Sequence, residues 1–244
     1  RLGGRIAVGR QFTPEWSANV ALRLEDVELK NPRTPTPAVV LNDVGSNFLS
    51  TVRFGVTHDT RDSGIMPGEG HYADLGYEQA FGDFTYPRFE GEYRQYFTVH
   101  SRPDDSGKQV LTVAGNVGWS GDQTPVFERY YAGGFQSFRG FSYRGVTPRT
   151  GGVATGGTFQ VLGTVEYRVP VTADDMINVV AFSDFGTVDD SVRLSSFRAT
   201  AGFGLRVVVP MMGPVPLAFD FAFPLAKETF DDTRVFSFYV GVNR

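Results

Sequence analysis

Three kinds of residue in this chain are of types that could do chemistry: histidines, paired carboxylates, and an arginine set among glycines and aromatics. His58, His71 and His100 lie on or beside different extended segments, and none has a second His at ligand spacing. A bound metal needs several ligands converging on one point, so turn or rim positions are the plainer reading and no metal is expected. Asp174–Asp175, Asp189–Asp190 and Asp231–Asp232 fall in connections, where solvated turn acids outnumber catalytic dyads. No Gly-x-Ser-x-Gly elbow occurs, and no Ser–His or Asp–His pair stands out on neighbouring segments. These residues point to no enzyme and to no cofactor. The third candidate is the stretch RYYAGGFQSFRGFSYRGVTPR, Arg129 to Arg149. Its glycines suggest a phosphate cradle, but no Gly-Lys-Ser/Thr follows and no helix begins there. What remains is Arg139, whose planar guanidinium can hold a carboxylate through two parallel hydrogen bonds. Around it stand Tyr130, Tyr131, Phe135, Phe138, Phe141 and Tyr143, in what reads as a loop. Exposed loops rarely carry so many large apolar rings.

The elements that would position this loop are strands. Glycine is frequent (29 residues), as are Phe (22) and Tyr (10), and cysteine is absent, which excludes disulfides and thiolate metal sites. The net charge of −4 and the lack of any basic block argue against nucleic acid. No run reaches the ~20 apolar residues of a membrane helix. The chain opens in mid-pattern without a signal peptide, as a mature protein or an excised piece would.

Period two dominates. In Phe197–Val209 the odd positions are Phe, Ala, Ala, Phe, Leu, Val, Val, and the even ones are Arg, Thr, Gly, Gly, Arg, Val. In Val215–Leu225 the odd positions are all apolar and the even ones are Pro, Ala, Asp, Ala, Pro. The same holds for Ala18, Val20, Leu22 and Leu24 against Asn19, Arg23 and Glu25. It holds for Phe89, Tyr93, Phe97 and Val99 against Glu90, Glu92, Arg94 and Thr98. About eleven such segments follow one another. A soluble sandwich or lipocalin-like barrel also alternates, but its polar face looks outward and its interior has little room for charge. Arg, Glu and Asp recurring in mid-strand, on segments longer than ordinary soluble strands, fit an inverted protein with an apolar outside and a wet lumen. The expected fold is therefore an all-β, transmembrane antiparallel β-barrel. Tyr72, Tyr77, Tyr86, Phe97 and Trp119 read as interfacial girdle residues.

The connections sort by length. RVPVTADDM and VVPMMGPVP are tight, whereas the segment of about 120–158 is very long. Short turns face the periplasm in such barrels and long loops face outside, which puts Arg244 in the periplasm and Arg1 outside. A bacterial barrel closes with an even strand count and both ends on one side, so strands preceding Arg1 are expected. Pairing between two copies, or a smaller closed barrel, would also satisfy the edges.

The sequence YYAGGFQSFRGF resembles the sixth extracellular loop of the BamA-like outer-membrane assembly superfamily, which includes TamA and the two-partner secretion transporters. Four further stretches match in order: HDTRDSGIMPGEG, GTVEYRVPV, VVAFSDFGTVDD, and the final GPVPLAFDFAFPLAKETFDDTRVFSFYVG. They span nearly all of Ser46 to Gly241, and the ordered set is far more specific than any one piece.

The resemblance implies a barrel of about sixteen strands, of which residues 1–244 hold the last eleven or so, and a periplasmic arm of POTRA repeats before them. It implies an outer-membrane location in a Gram-negative-type bacterium and a role in inserting and folding other barrels. The partners would be unfolded outer-membrane clients, the lipid bilayer, accessory lipoproteins and periplasmic chaperones. A secretion transporter of the same superfamily and a passive porin are the alternatives. It further implies that the long loop folds into the lumen and docks the tip Phe138, Arg139, Gly140 and Phe141 on the inner wall. Glu166 and Asp184 would be the partners of Arg139. Without the resemblance these are three unrelated lumen charges. Parity places Glu166 on the polar face with Gln160, Thr164 and Arg168, and puts Asp184 inward with Asn178, though Val180 and Phe182 interrupt that face. The closing strand would run from Val235 to Val242 and include Phe236, Phe238 and Val240.

Overall fold

The computed structural model describes residues 1–32, 36–194, 196–212 and 215–241. The regular structure is almost entirely strand: β1 (Leu2–Gln11), β2 (Trp16–Leu29), β3 (Gly45–Asp59), β4 (Gly70–Gly82), β5 (Tyr86–His100) and β6 (Gln109–Ser120) come first. The long loop carries three two-residue strands, β7 (Gly140–Phe141), β8 (Arg149–Thr150) and β9 (Val153–Ala154). Then follow β10 (Phe159–Pro170), β11 (Ile177–Asp189), β12 (Arg198–Val208), β13 (Pro216–Ala226), β14 (Thr233–Arg234) and β15 (Phe236–Val240). A short helix, α1 (Ala38–Leu41), lies between β2 and β3. No helix among the described residues is long and apolar enough to cross a membrane.

Eleven strands make one antiparallel sheet in the order β1-β2-β3-β4-β5-β6-β10-β11-β12-β13-β15. Each pairs with its neighbour in sequence, and β6 meets β10 in unbroken register from Trp119↔Phe159 to Val110↔Arg168 despite the loop between them. All but β15 are 10–15 residues long, enough to cross a bilayer at a tilt. The closing strand is shorter than the alternation implies; it ends at Val240, and Val242 lies outside the described residues.

Alternation is realised as an inverted protein. Val20, Leu22, Phe54, Leu75, Phe89, Phe97, Val117, Phe203, Phe223 and Phe238 are exposed on the outer face. Thr51, Thr164, Asp184, Arg206 and Asp220 are buried on the inner one. Side chains two residues apart share a face, so one sequence period produces both surfaces. The apolar core is not inside a sandwich but between wall and loop: Tyr130, Ala132, Phe138, Phe141 and Val146 of the loop pack on Leu162 and Val188.

The girdle expectation splits. Tyr77, Phe89 and Trp119 follow one another in tilted ring contact on the outer face, and Phe97 is exposed there. Tyr86 instead is buried against Leu49 and Ala80, and Tyr72 lies beneath the guanidiniums of Arg61 and Arg94. Both share even parity with their strands' inward charges. Two of the three histidines also meet: His58 and His71 lie on paired strands, with His58 Nδ1 2.8 Å from His71 Nε2, inside a ring ladder from Trp16 to Tyr93. Among the described residues no cluster of His, Cys, Asp or Glu is arranged to hold a metal ion.

Candidate functional site

The site is built where the tip of the long loop meets β10–β13. The tip turns on glycine. Gly133 has φ +118°, and a Cβ there would sit 2.2 Å from the Ser142 carbonyl oxygen. Gly140 has φ +90°, and a Cβ would meet Thr200 Cγ2 at 2.9 Å. Only glycine lets the backbone press this closely on the wall in that conformation. Phe138 and Phe141 flank the arginine, both fully buried, their rings edge-to-face at 5.0 Å.

Arg139 is 1% exposed and every arm of it is engaged. Its Nε donates to Asp184 Oδ2 at 2.9 Å and one terminal nitrogen to Asp184 Oδ1 at 2.7 Å, a bidentate pair. Its backbone N–H donates to the same Oδ2 at 2.9 Å. The other terminal nitrogen donates to Glu166 Oε2 at 2.6 Å, and Thr164 Oγ1 accepts a further bond at 3.0 Å. The guanidinium carbon lies 3.4 Å from the centroid of the Phe182 ring. Burial works against the charge of Arg139, and Asp184 and Glu166 outweigh it, raising the group above its ordinary value. Phe182 thus has a reason to face inward: it forms the floor under the guanidinium.

The structure therefore brings Phe138, Arg139, Gly140, Phe141, Glu166 and Asp184 together. It also adds residues that the sequence reading did not single out. Asp220 on β13 stands 3.8 Å from Arg139 and accepts from Arg206 at 2.6 Å and 3.2 Å. Arg206 also reaches Glu166 at 3.4 Å. Tyr239 on β15 donates to Asp220 at 3.3 Å, and its ring stacks on Phe135 of the loop at 4.8 Å. A continuous polar chain thus runs from the loop tip to the closing strand. Gly140 and Phe141 extend it by pairing with Arg234 and Thr233, just before β15.

Phe236, Phe238 and Val240 do not join this cluster. They point to the outer face, where Phe236 packs on Phe221 at 5.2 Å and Phe238 on Phe219 at 5.0 Å. The inward residues of the closing strand, Ser237 and Tyr239, are the ones that face the loop.

A cluster of this kind fixes geometry. It is a latch: a charge buried with its counter-charges holds one geometry and gives it up only by leaving ions unpaired. Known proteins share the whole frame. A model of the Omp85 superfamily domain matches residues 1–243. The outer membrane protein assembly factor BamA of Nitratidesulfovibrio vulgaris is 26% identical over 97% of this chain and 30% of its own length. BamA of Neorickettsia risticii is 29% identical over 77% of this chain and 26% of its own. This chain therefore spans less than a third of either relative's length. The crystal structure of BamA from Haemophilus ducreyi lacking POTRA domains 1–3 superposes with a TM-score of 0.83 at 19% identity, over 97% of this chain and 53% of that one. With an inverted eleven-stranded sheet and a long loop packed on its inner face, the chain belongs to the Omp85 superfamily of outer-membrane β-barrels.

Proposed function

We propose that this chain is the C-terminal barrel portion of an outer-membrane protein assembly factor, which inserts and folds client β-barrels. In this reading further strands and POTRA repeats precede it, and the loop of about 120–158 is its lumenal element. The observation that carries the proposal is the polar chain from Arg139 through Asp220 to Tyr239 on β15, an edge strand of the sheet. A latch that reaches the sheet edge couples the loop to the strand against which a client could be added by main-chain pairing. The loop also occupies the lumen, as an open porin would not require. The names of the relatives, outer membrane protein assembly factors, support the same reading. Accessory lipoproteins and periplasmic chaperones would be further partners.

The test is reconstitution. Full-length protein in liposomes should raise the folding rate of an unfolded barrel client, read as the appearance of its heat-resistant band. No acceleration, together with passage of an unfolded exoprotein, would assign a secretion transporter instead. Steady conductance without either effect would assign a pore.

A further inference from the structure

The root of the loop carries a second buried ion cluster, opposite in sign to the one at its tip. Glu128 has 5% of its side chain exposed and lies beside three arginines. Arg1 donates to its Oε1 at 3.0 Å and Arg23 to its Oε2 at 3.0 Å, while Arg88 approaches Oε2 at 3.7 Å. The backbone of the same turn is held too. Arg1 donates to the Phe127 carbonyl at 2.9 Å, and Arg88 donates to the Glu128 carbonyl. Asp43, buried at the end of α1, accepts the Val126 N–H at 2.7 Å. The Phe127 ring meets Phe84 edge-on at 5.8 Å, against the cluster of Leu49, Ala80 and Tyr86.

The partners divide cleanly by wall. Root contacts come from Arg1 just before β1, from β2 and β5, and from the turn after α1. Tip contacts come from β10, β11 and β13, and from the segment leading into β15. One wall offers cations to a loop carboxylate and the other offers carboxylates to a loop cation. That polarity also fixes direction, because a loop seated end for end would set like charges together.

We infer that the loop is a strap fastened at both ends, with Glu128 as the positioning residue that ties it to the amino-terminal wall and so sets the spacing between the two walls. The inference deepens the assembly reading, since the strap would govern how far the sheet edges can part. It also stands without that reading, because it concerns spacing alone.

The experiment uses full-length protein in liposomes, with spin labels at Glu28→Cys and Val192→Cys in a background otherwise free of cysteine. Both positions are exposed, and this stretch has no native cysteine to compete. With Glu128 intact, the doubly labelled protein should give one narrow distance. Glu128→Gln should at least double its width and raise tryptic cutting after Arg129 about tenfold, while cutting after Arg144 stays within twofold. Wild-type width and cutting in Glu128→Gln would overturn the inference. If that variant fails to reach the membrane, Arg23→Gln decides in its place: a widened distance supports the strap, and an unchanged one overturns it. Neither readout involves a client. An unsubstituted protein that folds no client would remove the assembly reading and leave the strap standing.

Discussion

The two ends of the loop solve the same problem with opposite charges and unequal shielding. At the tip, one arginine is held by Asp184 and Glu166, with Asp220 3.8 Å away, and Arg139 and Asp184 are both essentially without solvent contact. At the root, one carboxylate is surrounded by arginines, but the Arg1 side chain is 42% exposed and Arg23 19%. Coulomb attraction strengthens as water is excluded, and exposed pairs are screened by salt. The tip should therefore behave as a rigid lock, and the root as a fastening whose strength varies with conditions.

Arg139→Ala should break the comparison most. It leaves buried carboxylates facing one another and should cost about 3–5 kcal/mol of loop seating. Limited proteolysis of the folded barrel should then cut between Gly133 and Thr150, and unchanged cutting would refute the latch. Asp184→Asn removes the bidentate partner and should cost about 3 kcal/mol, read as a lower denaturant midpoint for the loop. Glu128→Gln weakens hydrogen bonds from Arg1 and Arg23 to a charged acceptor and should cost about 2 kcal/mol at low ionic strength, and the gap to wild type should shrink in high salt. Arg139→Ala should show no comparable salt rescue, and equal salt dependence at both ends would erase the distinction. Tyr239→Phe removes one hydrogen bond to Asp220 and should cost about 1 kcal/mol, seen as faster hydrogen exchange in β15.

Most of the fold was legible because a barrel wall has a single rule. Outward and inward residues alternate, and that period is written directly into stretches such as Phe197–Val209. The places where the period lapses were the informative ones. Val180 and Phe182 interrupt the inward face of β11; both are buried there with Ala222, and the Phe182 ring lies under the Arg139 guanidinium of the loop. Tyr86 sits at a strand end, as a girdle residue would, but its parity matches Arg88 and Glu90 and it is buried accordingly. At the site, parity could say that Asp220 and Tyr239 point inward. Which inward charges meet depends on cross-strand register and on where a loop descends, and neither follows from alternation. Glu128 was invisible for a simpler reason: it lies in a loop, where no period assigns a face.

The unbroken register between β6 and β10 carries a consequence for chain entropy. The segment from Ser120 to Phe159 is roughly three doublings longer than a tight turn, and each doubling adds only about 0.6 kcal/mol to the cost of bringing the ends together. Lengthening that connection thus burdens the wall by about 2 kcal/mol, less than one buried latch is worth. A barrel can carry a long internal loop and keep the strand pair from which it springs in full register, since the loop's own contacts offset that cost.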